Sequence, residues 1–291
     1  MKYKLYELMH QKPWNRVASV LGYLVAGTHT TRFKTRINLA ITIDTEPGYV
    51  GFDERRVWEY MDPKASVGYV KGVDVIENIL EKHDAIATFF VSNQCTKSFQ
   101  IDTLRHEVGF HLHNGKHADE MSYEEQVKAL EEGAQFIKTK FHTRPFSFRW
   151  GAWGSNEETF IALEEAGYEI DSSICPGCKG ERSGYDWSKH NKMLPYKVNN
   201  IVEVPCTTVH LFNKFHRMDP VLGPLMTGAF NYLEDLPVIV IATHTSEMVY
   251  ADGSPTLLAD YFDSFLKHIT EKYEINFLRM EHVKGYLNIS R

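Results

Sequence analysis

The chain has 291 residues, a formal net charge of −6 and 43% hydrophobic residues. That is enough apolar material for one α/β barrel or two small domains, and it excludes a disordered chain. The acidic balance, with no basic run, excludes a nucleic-acid footprint, and four cysteines (Cys95, Cys175, Cys178, Cys206) are too few for a disulfide scaffold.

Residues 1–35 read as an N-terminal helical extension and 36–291 as a single barrel domain. Val17 to Gly27 is an apolar run of signal-peptide length, but it is too short to span a bilayer and Glu7 and His10 make a poor leader. The expectation is a helix packed on the barrel, no integral membrane segment and a cytoplasmic location. A targeting or anchoring role for residues 17–27 stays open.

Ile37 to Asp44 alternates with period two, which predicts a strand ended by Pro47-Gly48. Its apolar face (Ile37, Leu39, Ile41, Ile43) suits helices outside a barrel. Its other face carries Asn38, Ala40, Thr42, Asp44 and Glu46, which suits a barrel interior and sets two carboxylates at the strand's C-terminal end. Val50 to Gly68 is a long loop with Trp58 and Tyr60, and Val70 to His83 has helical spacing. Ala85 to Val91 reads as a strand covered on both faces.

Glu107 to His113 alternates again, with Val108, Phe110 and Leu112 outward and Gly109, His111 and His113 inward; His117 follows four residues on. Ser122 and Glu125 form a capping box for a helix to about Lys140. Phe146 to Arg149 reads as a short strand, Asn156 to Ala166 as a helix and Tyr168 to Ser172 as a strand. Gly177 to Lys197 reads as a loop-rich insertion, Ile201 to Val204 as a strand, and His210 to Leu233 as irregular or helical. Pro237 to Thr243 predicts a buried strand ending at His244, followed by a helix from Thr256 to Tyr273, a strand at Asn276 to Arg279 and a helix from Glu281. Cys175-Pro-Gly-Cys178 has metal or redox spacing but no second pair, and reads as a loop with two thiols.

Strands alternating with helices predict a mostly parallel sheet. In a closed parallel barrel, Asp44, Glu46, His111, His113, Arg149 and His244 would converge at one rim. Imidazoles with a carboxylate are the ligand set of a catalytic divalent site, which leaves a spare carboxylate and a spare histidine for proton transfer. Each residue also has a plainer reading: Asp44 as a turn cap, the histidines as strand polar groups, Arg149 in a structural ion pair, His244 in the core.

Together these stretches resemble a family. "AITIDTEPG", "HEVGFHLHNGKH", "SFRWGAWGSNEETFIALEEAGYEIDSS", "YDW" and "IVIATHTSE" are similar, in order, to the five motifs of the polysaccharide deacetylases with a NodB-homology domain. The resemblance spans roughly residues 36–285 and implies an α/β fold, a distorted (β/α) barrel of the NodB-homology type with mostly parallel strands. It implies a hydrolase that removes N-acetyl or other acyl groups from an amino sugar or polysaccharide precursor. The cofactor would be a divalent metal, zinc first, with cobalt, manganese or nickel as alternatives. The resemblance further implies Asp44 as general base, His244 as general acid, Arg149 orienting the base, Asp186 supporting that pair and Trp187 walling the sugar site; Trp150, Trp153 and Tyr185 are further stacking candidates.

Two departures stand out. Thr45 occupies the place of the family's second aspartate, so Glu46 is expected to reach the metal instead. His113 and His117 have the family's HxxxH spacing, while the alternation pairs His111 with His113, which leaves the third ligand open. Hydrolysis of a small amide or ureide, or a catalytically silent sugar-binding protein, are the alternative functions. Neither the substrate nor the oligomeric state is legible.

Overall fold

The computed structural model describes residues 35–50, 65–113, 115–179 and 185–286. The expected N-terminal helix, with its apolar run, and nearly all of the Trp58/Tyr60 loop lie outside the described residues. In chain order come β1 (Arg36–Thr45), α1 (Val67–Lys82), β2 (Thr88–Ser92), β3 (Glu107–Leu112), α2 (Tyr123–Phe141), β4 (Ser147–Trp150), α3 (Glu157–Glu165) and β5 (Ile170–Asp171). Two hairpins follow, β6 (Tyr196–Val198) with β7 (Ile201–Glu203) and β8 (Thr208–Leu211) with β9 (Lys214–Arg217). The chain continues through α4 (Leu225–Asn231), β10 (Ile239–His244), α5 (Leu257–Lys272), β11 (Glu274–Leu278) and α6 (Met280–Val283).

The main sheet runs β10-β1-β2-β3-β4-β5-β7-β6, and every pairing is parallel except β6 with β7. β1, second in that order, has three strand partners: β10 flanks one side, while the other is shared by β11 along the first half and β2 along the second. The sheet curls into a half-barrel. After β7 the chain bends back, with Val204 N–H donating to Asp171, Cys206 to Ile174 and Thr207 to Val240, so the far side is tied to β10.

The alternation of β1 accounts for two apolar layers. Ile37, Leu39, Ile41 and Ile43 pack outward with Val73, Ile76 and Leu80 of α1 and Phe262 and Leu266 of α5. Ala40 and Phe90 face inward with Ile170, Val202 and Val240. Burying each such side chain is worth about 1.5–3 kcal/mol, and a one-residue slip would reverse all of them, so the register is held firmly. That register decides which polar residues face the interior. Gly109 is required there: a Cβ would lie 2.5 Å from Ser147 Oγ and 2.8 Å from the Phe90 ring. α2 begins with the expected capping box, Ser122 N–H donating to Glu125 Oε2 at 2.8 Å. Among the described residues no helix is long and apolar enough to cross a membrane, and all four cysteines are buried thiols.

Candidate active site

Parallel register sets Asp44 of β1 beside His244 of β10, and His111 of β3 beside Arg149 of β4. All four lie at C-terminal strand ends. The Arg149 side chain crosses the interior: its Nη1 donates to Asp44 Oδ1 at 2.8 Å, its Nη2 to Thr42 Oγ1 at 2.8 Å and Ser172 Oγ at 2.9 Å, and its Nε to Ser172 O at 2.9 Å. Phe90 lies 4.4 Å from the guanidinium and Trp153 5.2 Å. Burial alone would raise the Asp44 pKa. The Arg149 cation, with His111 and His244, outweighs it and holds the carboxyl well below the usual range.

His244 is the counterpart. Its Nε2 lies 3.6 Å from Asp44 Oδ2 and 4.0 Å from Glu46 Oε1, and its Nδ1 lies 3.1 Å from Glu247 Oε1. Burial lowers its pKa, but Glu247, Asp44 and Glu46 raise it more, to about 9. A base kept ionised and an imidazole kept protonated thus face each other across one gap.

Glu46 is buried beside them, with Oε2 3.3 Å from His111 Nε2 and 3.9 Å from His113 Nε2. The His111 Nδ1 lies 3.0 Å from Arg149 O. A carbonyl only accepts, so Nδ1 carries the hydrogen, and in the neutral form of the ring Nε2 turns its lone pair toward Glu46. Glu46 Oε2 has no hydrogen-bond donor. Two electron pairs facing each other in a buried site suit a shared cation. Ligands about 2.0–2.2 Å from a tetrahedral ion stand about 3.3 Å apart, so the Glu46–His111 spacing fits while His113 must draw in. As they stand, no group of three or more His, Cys, Asp or Glu among the described residues is placed to hold a metal ion.

The polysaccharide deacetylase family model matches residues 65–170. A Mycobacterium smegmatis protein named for the polysaccharide deacetylases has the same fold, with a TM-score of 0.60 at 18% identity over 91% of this chain and 96% of that one. Over residues 65–170, then, this chain is similar to the polysaccharide deacetylases. A Pseudomonas aeruginosa PAO1 protein named for that family gives a TM-score of 0.58 at 13% identity, covering 86% and 90% of the two chains. The PuuE allantoinase gives 0.61 at 15% identity, covering 88% and 91%. No curated protein matches. The matched segment contains His111, His113 and Arg149 but neither Asp44 nor His244, so for those two the parallel register makes the connection.

Not every site residue that the resemblance implies is brought together. Among the described residues the imidazoles within 4.0 Å of Glu46 are His111, His113 and His244. His117 instead caps the turn Ala118–Glu120 and packs over Gly154, where a Cβ would meet its Nδ1 at 2.8 Å. The alternation reading of His111 with His113 thus describes the cluster better than the HxxxH spacing. Gly151 makes room for the second ring, since a Cβ there would lie 2.3 Å from His113 Cδ2.

Asp186 does not support Arg149. It is exposed and pairs with Lys179 at 2.6 Å, its cross-bridge neighbour. Trp150 is not a stacking wall either: inward Arg149 forces it outward, where it is sealed against Phe148 and donates to Lys116 O at 3.0 Å. Trp153 does face the interior, between the guanidiniums of Arg149 and Arg217, each 5.2 Å away. Trp187 and Tyr185 pack beside it over Cys175, Cys178 and Cys206, and Trp187 Nε1 donates to Trp153 O at 3.0 Å. The sequence singles out none of Glu247, Ser172 and the buried pair Arg217–Asp219 (3.0 Å), and it places Thr42 on the inward face without a role. Thr42 shares the inward period of Asp44, which was a usable signal. Arg217 sits on a hairpin that left none.

Proposed function

We propose that the chain is a metal-dependent hydrolase that removes an N-acetyl or other acyl group from an amino sugar or its polymer. The observation that carries the reading is the opposition of Asp44 and His244 at 3.6 Å beside a buried carboxylate faced by imidazoles. A divalent ion, zinc being the first choice for such ligands, would be held by Glu46, His111 and His113, and would supply a polarised carbonyl and a more acidic water.

The chain's own residues do the rest. Arg149 keeps Asp44 ionised and fixes its orientation, so that Asp44 accepts a proton from the attacking water. His244, protonated near neutral pH, delivers a proton to the departing amine nitrogen. Trp153, Tyr185 and Trp187 offer apolar faces to a sugar ring.

The test is acetate release from chitin oligosaccharides and nucleotide-linked amino sugars, with zinc, cobalt, manganese or nickel added to the stripped protein. Turnover is expected with at least one metal, and Asp44→Asn should lower kcat by about 10²–10⁴-fold with sugar binding retained. Absence of turnover with every metal, or an Asp44→Asn variant as active as the parent, would remove the hydrolase reading. The fold shared with an allantoinase makes ureides the second substrate class to screen.

A further inference from the structure

His244 needs its ring nitrogens in one arrangement to serve as the acid. A carboxylate from its own turn lies against one of them. We propose that Glu247 is the positioning residue for His244, fixing the hydrogen on Nδ1 and aiming Nε2 into the Asp44–Glu46 pocket. The proposal rests on His244 being the acid of the reaction above.

Three contacts from one side chain carry it. Glu247 Oε1 is 3.1 Å from His244 Nδ1, while Oε2 accepts from His244 N–H and Thr243 Oγ1, both at 3.3 Å. A carboxylate oxygen cannot donate, so a ring nitrogen at that distance is favoured with its hydrogen on. The opposite nitrogen then faces Asp44 and Glu46, as its distances of 3.6 and 4.0 Å show.

The turn that carries Glu247 is clamped from two sides. Thr256 Oγ1 donates to Glu247 O at 2.7 Å. From α1, Gly72 backs directly onto the turn, where a Cβ would lie 2.2 Å from Thr245 O, while Gly68 packs closest to Gly48 O, at 2.3 Å from such a Cβ, and borders Ser246. Glu247 is itself 2% exposed, so its carboxylate has few other rotamers and holds the ring in one pose. Glutamate suits the task because its arm spans back three residues to the ring. A glutamine would offer an NH₂ group to Nδ1 as readily as an oxygen, and would no longer hold the hydrogen on that nitrogen.

Histidine ¹⁵N NMR of the full chain, with the His244 signals assigned by their loss in His244→Gln, reads the arrangement directly. The expected spectrum shows Nδ1 protonated in the parent and a mixture of ring forms in Glu247→Gln. In parallel, Glu247→Gln should lose about 10²–10⁴-fold in kcat with KM changed by less than about twofold, and Glu247→Asp should recover part of that loss. A parent spectrum with a bare Nδ1 would overturn the proposal even if the glutamine variant fails to fold. So would a folded Glu247→Gln variant with the parent's ring signals and kcat. Absence of turnover in the parent would remove the hydrolase reading alone, and the spectra would still decide the positioning role.

Discussion

Two buried acidic clusters lie within this barrel, and they handle charge in opposite ways. At the rim, two carboxylates have cationic partners: Asp44 has Arg149, and Glu247 has His244. At the seam between β5 and β7, Asp171 and Glu203 face each other in register, both fully buried. Ser173 Oγ donates to Asp171 Oδ1 and Ile174 N–H to Glu203 Oε1, but Asp171 Oδ2 and Glu203 Oε2 have no donor. Burial lifts Asp171 to about 6 and Glu203 well above the usual carboxylate range. The seam therefore holds a proton between two acids, whereas the rim holds its acids ionised. Equal burial gives ready charge in one place and stored neutrality in the other, and the presence of a cation decides which.

Removing the rim's cation should have the largest effect on stability. Arg149→Met leaves Asp44 buried without its partner, at a cost of about 3–5 kcal/mol in denaturant unfolding. The double variant Arg149→Met/Asp44→Asn should recover part of that loss, because the stranded charge goes with it. Equal stability of the parent and the single variant would show that Arg149 does not hold Asp44.

The seam predicts a pH dependence. Both folded pKa values lie above the unfolded ones, so the native state binds more protons than the unfolded chain. The contribution of Asp171 to stability is present below its ordinary value of 3.8 and is lost as pH rises through about 6. The raised Glu203 carries the loss further up the scale. Asp171→Asn replaces the shared proton with an amide donor. The difference between variant and parent stability should shift by on the order of 3 kcal/mol across that window. Parallel stability–pH curves for the two proteins would refute a shared proton.

The same contrast marks what could be read from residues alone. Ile37, Leu39, Ile41 and Ile43 opposite Thr42 and Asp44 gave both barrel layers, because period two survives wherever a strand has two different faces. His111, Arg149 and His244 were legible because each ends such a strand. The β8–β9 hairpin was not: its turn sets Phe212 and Asn213 at φ of 52° and 61° with no glycine to announce it. β6 reads as loop for a related reason, since a strand of three residues is too short to show a period; the strands of the seam are legible at Tyr168–Ser172 and Ile201–Val204, but not that Asp171 and Glu203 meet. Trp150 differs, because the period itself turns a neighbour of inward Arg149 outward, away from any sugar site.

The smallest expected effect concerns Asp186. A motif match placed it with Arg149, yet loop residues have no periodicity to fix their direction, and the chain turns this one toward solvent. There Lys179 Nζ, Ser188 N–H and Ser188 Oγ take up its oxygens. An exposed pair of this kind is screened by water and salt, and the oxygens nearest the Arg149 guanidinium belong to Asp44, Thr42 and Ser172. Asp186→Ala should therefore leave kcat within about twofold of the parent, against the 10²–10⁴-fold range expected for a proton-transfer residue, and should leave the pH profile unmoved. A tenfold fall in kcat with unchanged stability would mean that the insertion swings Asp186 into the rim during turnover. The rim would then draw on a third carboxylate that the resting arrangement keeps outside.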